Sequence, residues 1–197
     1  MSNTNTKANV AVGKPEVTGA VFRAKAGTTP PTTAASSLAS AFKGMGYVSD
    51  DGVTNSNSPE STEIKAWGGD VVLNPQTGKT DTFKFKMIET LNVNVQKAVY
   101  GDDNVTVSGN ETVIKANSKE GDEGVWVIDS ILGLYMKRTV IPNGKITEVG
   151  DIVYKDDEAI GYEVTISATP DEDGNTHYEY IAPITGATGA TGGTGSL

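Results

Sequence analysis

The 197-residue chain contains no cysteine, so a disulfide framework, thiolate metal sites and cysteine nucleophiles are all excluded. It has a single histidine, His177, so a histidine-based zinc site would have one ligand to draw on. No window approaches 18 consecutive apolar residues, and no transmembrane helix is expected. The N-terminus lacks the apolar stretch of a signal peptide, which leaves the cytoplasm of the producing cell as the default compartment. Positive charge is scarce. Sixteen Lys and Arg stand against 25 Asp and Glu, for a net charge of −9 and a pI near 4.6. Tight binding to nucleic-acid phosphates needs clustered Lys and Arg and is disfavoured.

What charge there is falls unevenly. Residues 1–47 carry Lys7, Lys14, Arg23, Lys25 and Lys43 against Glu16, for a net +4, and the remainder carries −13. A basic front and an acidic remainder permit head-to-tail attraction between copies. A solvated surface with chance asymmetry fits the same numbers.

Short strands and turn signals dominate the pattern. Val17 to Ala24 reads as a first strand, residues 26–37 as a loop broken by Pro30-Pro31, and Met45 to Val48 as a short strand. Phe83, Phe85 and Met87 alternate with Thr82, Lys84 and Lys86, which predicts a half-buried strand over Asp81 to Ile88. One helix is expected over residues 89–100. Ile88, Leu91, Val95, Ala98 and Val99 form its apolar stripe, with Thr90 as N-cap and Gly101 ending it. A further short strand is expected over Thr112 to Ala116. Val125 to Leu132 is apolar at both parities, so both faces are expected to be buried. Leu134 to Ile141 and Lys145 to Val153 flank Pro142-Asn143-Gly144, a hairpin signal. Ala159 to Thr169 and Thr176 to Ile181 read as another pair. The expected fold is mainly β: a β-sandwich or partly closed barrel with one flanking helix.

Residues 50–61 have turn chemistry and little apolar content, and Thr62 to Trp67 is extended before Gly68-Gly69. A long polar loop or hairpin protruding at residues 50–70 is expected, and loops of that length usually have a task. Trp67 reads as a contact to a neighbour, or else as a lid on its own domain. The domain itself is expected over 14–182, with a flexible arm at 1–13 and a flexible Gly-Ala-Thr-rich tail at 183–197. Glycine recurs every third residue from Gly186, but four triplets without proline do not support a collagen helix.

Catalytic motifs fare poorly. Gly78-Lys79-Thr80 resembles the end of a phosphate loop, but Leu73 stands where the first glycine belongs and a strand follows, so a turn is expected. Asp171, Asp173 and Asn175 have calcium-loop spacing, but Thr176 and Ala182 replace the required Gly and Glu. His177 reads as a surface strand histidine with no nucleophile nearby. The acidic pairs Asp50-Asp51, Asp102-Asp103 and Asp156-Asp157 lie in turn contexts. No enzyme chemistry and no cofactor are expected.

Five segments together resemble the major tail proteins of long-tailed, non-contractile phages and prophages. They are Gly13 to Ala24, Phe42 to Val53, Glu63 to Asp70, Val99 to Val105 and Ile141 to Lys145, in that order along residues 10–181. The resemblance implies a β-sandwich-like domain with a helix beside it. It implies hexameric rings stacked around a channel that conducts DNA, with a tape-measure protein inside and tail-tip and tail-terminator proteins at the ends. It also implies that the long loop and the N-terminal arm bridge neighbours. An acidic channel wall would let DNA slide without sticking. On this reading the candidate subunit-interface residues are Asp50, Asp51, Asn55, Glu63, Trp67 and Asp70. A monomeric ligand-binding or adhesion β-domain, and another virion part such as a head–tail connector or decoration protein, stay open as alternatives.

Overall fold

The structure is a computed structural model that describes residue 6, residues 9–16 and residues 19–184. The expectations for Val17, for residues 1–5 and 7–8 of the arm and for the tail from residue 185 lie outside the described residues. In chain order the strands are β1 (Gly13–Pro15), β2 (Val21–Lys25), β3 (Lys43–Gly44), β4 (Val48–Ser61), β5 (Ile64–Lys65), β6 (Val71–Leu73) and β7 (Gln76–Met87). Helix α1 (Val93–Tyr100) and a 3-10 turn (Asp102–Asn104) follow. Then come β8 (Val105–Ser108), β9 (Glu111–Ile114), β10 (Gly124–Leu132), β11 (Tyr135–Val149), β12 (Tyr162–Thr169) and β13 (Tyr178–Pro183).

The protein is mainly β, as the alternation predicts. One antiparallel sheet runs β3-β2-β10-β11-β12-β7-β4, with β1 added to β10 and β13 added to β11. The sheet doubles back on itself at β11. Residues Tyr135 to Val140 of β11 pair with β13, and Asn143 to Val149 pair with β12. The doubling brings β7 and β10, which have two strands between them in the sheet, into contact: Phe85 meets Trp126 edge to face with centroids 6.3 Å apart.

The change of partner falls on Pro142-Asn143-Gly144, where the sequence signals a hairpin. The structure corrects that expectation. A two-residue hairpin turn needs positive φ, and neither Asn143 nor Gly144 has it. The actual hairpin is at Gly133-Leu134, with Gly133 at φ 63°. Gly144 is needed for a different reason. A Cβ there would lie 2.6 Å from the Trp126 ring, whose N–H donates to the Gly144 carbonyl at 3.1 Å. Nor do β12 and β13 pair with each other; both lie along β11, end to end.

The double burial expected of Val125 to Leu132 holds over its first five residues, Val125 to Asp129. Trp126 and Ile128 point into the main core with Phe83, Phe85, Met87, Val164 and Ile166. Val125 and Val127 point the other way, against Ala24, Phe42 and Val140 under the 26–42 segment. That segment is fastened by a buried ion pair. Arg138 makes a bidentate bond to Asp129 at 2.8 and 2.7 Å and donates to the carbonyls of Thr33 and Ser36 at 3.1 and 2.7 Å.

Helix α1 closes one side of the main core through Val95 and Ala98. It starts later than the apolar spacing suggests. Asn92, not Thr90, is the N-cap, and its side chain accepts from the Asn94 amide at 3.0 Å. Leu91 therefore precedes the helix and is 91% exposed instead of joining the stripe. Gly101 ends the helix, as expected, with φ 96°.

Candidate assembly interface

Strands β4 and β7 form an arm. Their ladder runs from Val53↔Phe85 out to Ser61↔Gln76. The inward-facing residues of β7 are buried as far as Asp81, and every described position from Thr54 to Thr77 is exposed. At about 3.3 Å per residue the ladder extends on the order of 20 Å past Asp81 before the tip is added. Of the loop or hairpin expected to protrude at residues 50–70, the structure has the hairpin, and residues 50–61, despite their turn chemistry, are its first strand. Gly78-Lys79-Thr80 is likewise strand, with Lys79 opposite Pro59. A strand wet on both faces needs no apolar alternation, so polar residues satisfy it as long as its amides pair across the ladder.

The tip is a small hairpin of β5 and β6. The Ala66 amide donates to the Asp70 carbonyl at 2.8 Å and the Gly69 amide to the Ala66 carbonyl at 3.0 Å. Gly68 and Gly69 take φ of 126° and 101°, which other residues adopt at a cost. This turn holds Trp67 fully exposed, beside exposed Ile64, Val71, Val72 and Leu73. Clustered exposed apolar side chains on a polar shaft mark an interaction surface.

The root of the arm is tied down by Asp81, whose side chain is buried. It accepts from Thr176 Oγ1 at 2.5 Å, His177 Nδ1 at 2.6 Å and Asn55 Nδ2 at 2.8 Å. Asn55 also donates to the Thr82 carbonyl at 3.0 Å. His177 is mostly buried against the edge of Phe83, centroids 5.3 Å apart, and is not the surface strand histidine expected. Burial alone would raise the Asp81 carboxyl, but the donors from Thr176, His177 and Asn55 and the His177 charge together hold it below its ordinary value.

A depressed carboxylate stabilises the fold above its unfolded-state pKa and loses that contribution as pH falls through the lower folded value. Asp81→Asn should therefore lower the melting temperature at pH 7, and the gap to the parent chain should close in melts taken below about pH 4. The exposed ion pairs, such as Lys86–Glu158 and Lys119–Asp103, contribute little to that acid limb. A gap that persists unchanged at pH 3 would remove Asp81 from this role.

Glu63, Trp67 and Asp70 come together at the tip, where Glu63 pairs with Lys65 at 3.5 Å. Asp50 and Asp51 lie at the opposite end of β4, in the irregular stretch between Val48 and Val53. Asn55 is engaged within its own chain. Sequence reading missed Asp81, Thr176 and the role of His177, because 95 residues separate Asp81 from Thr176. It also passed over Ile64 and Val71 to Leu73, apolar residues in a polar stretch on either side of Trp67 that could have marked the tip.

The β-sheet domain thus extends an apolar-tipped arm away from its own core, a surface of the kind other chains cover. The chain belongs to the phage tail tube protein family, whose model matches residues 5–191. No curated protein matches it. It is accordingly a structural subunit of a tail tube, a component of the virion tail that assembles with its own copies.

Proposed function

We propose that the subunit polymerises as hexameric rings stacked around a channel that conducts DNA during ejection, with the β4–β7 arm reaching from one ring to the next. The observation that carries this reading is the arm, exposed on both faces and ending in Trp67, Ile64 and Leu73. Surface of that kind is covered in the assembled form. The net charge of −9 supports a lumen that repels phosphates. Tape-measure, tail-tip and tail-terminator proteins are the partners this arrangement calls for, and the host cytoplasm is where the subunit is made.

Negative-stain electron microscopy with light scattering over a concentration series tests it. Hollow tubes with sixfold end views are expected. A strict monomer at every concentration, persisting when tail-tip complex is added as initiator, would refute it.

A further inference from the structure

The arm leaves from the β7–β4 end of the sheet. Toward the opposite end, where β10 and β11 meet β2 and β13, lies a groove of about 480 Å³. Its apolar walls are Phe22, Ala35, Leu38, Met136, Pro183 and Ile184. Its floor is the Arg138–Asp129 pair, and Glu16 stands at its rim. We propose that this groove is the receptor for Trp67 of a second copy, an inference that rests on the tube reading above.

Three observations select that occupant. An indole with a neighbouring aliphatic side chain matches the groove in size and in character. The hydroxyls of Ser36 and Ser37, also lining the groove, can accept from the indole N–H. Charge is compatible as well: the tip carries Lys65, Glu63 and Asp70, and Glu16 lines the groove with exposed Lys14 nearby on β1, so opposite signs are available on both surfaces. Knob and groove occupy different surfaces of one subunit. Paired head to tail, their union is heterologous, and such a contact repeats along an axis when its rotation does not close.

The absence of native cysteine makes the test direct. Ala66→Cys, beside Trp67, and Ser37→Cys, at the groove, are prepared as separate single variants, mixed, assembled and oxidised. The expected product is a mixed disulfide dimer that appears only in tubes, with neither variant crosslinking to itself. Trp67→Ala should raise the concentration needed for assembly about thirtyfold or more, as loss of an interface hot spot does. Ala35→Trp, which fills the groove, should do the same while the monomer keeps its circular dichroism. Normal tubes without the mixed crosslink would overturn the pairing, whichever protein or segment then fills the groove, and would leave the tube reading standing. If the unmodified chain makes no tubes even with tail-tip complex, the tube reading fails first and the pairing with it.

Discussion

Joining Ser58 to Thr80 through an Asn-Gly turn should give a chain that folds, remains monomeric and makes no tubes at any concentration. The cut removes residues 59–79, the exposed arm and its tip. Ser58 and Thr80 face each other across the ladder, so a two-residue turn closes them in register. The Asp81 cluster and both cores are left whole, and none of the removed residues is buried. The melting temperature should therefore change by only a few degrees, while sedimentation and microscopy show complete loss of polymer. A shorter excision confined to residues 52–65 would be less informative, because it strips β7 of its partner and exposes unpaired amides. Normal tubes from the armless chain would end the idea that the arm drives polymerisation.

The second large effect concerns stability. Asp129→Ala should cost about 3–5 kcal/mol, because it leaves the Arg138 guanidinium buried without its counter-charge. A domain of this size holds about 5–15 kcal/mol in all, so the melting temperature should fall on the order of 10 °C. The loss spreads further than one pair. Arg138 also holds the carbonyls of Thr33 and Ser36, so the 26–42 segment should loosen over the smaller core of Val125, Val127 and Val140. Urea unfolding measures the energy, and amide exchange at Ala34 to Leu38 measures the loosening. Replacing both partners, as Asp129→Leu with Arg138→Met, should recover part of the stability, since an apolar pair leaves no charge stranded. A loss below about 1 kcal/mol in Asp129→Ala would show that the pair is dispensable.

Where a segment meets its own core, the sequence was legible. Phe83, Phe85 and Met87 alternate because β7 has one dry face, and Val125 to Ile128 do not because β10 is covered on both. Gly101 marked the helix end because only a residue free to take positive φ sits there without strain. Where two local signals compete, the reading took the wrong one. Leu91 has helical spacing, yet Asn92 caps the helix and leaves it outside.

By itself the sequence determined the class of fold, the presence of the helix and its end at Gly101, the protruding segment that contains Trp67 and the kinship with tail tube proteins. Each is written in local periodicity, in turn chemistry or in the order of short segments. The tertiary structure alone decided that residues 50–61 and 76–80 are strands, since a polar strand owes its form to ladder bonds with a partner and not to any burial of its own. It alone decided that Pro142-Asn143-Gly144 is a bend where β11 passes from β13 to β12, because local turn preference yields when a long strand is held on both edges. And it alone gathered Asn55, Asp81, Thr176 and His177 at the arm's root, a cluster that only chain folding over 95 residues could assemble around one buried carboxylate.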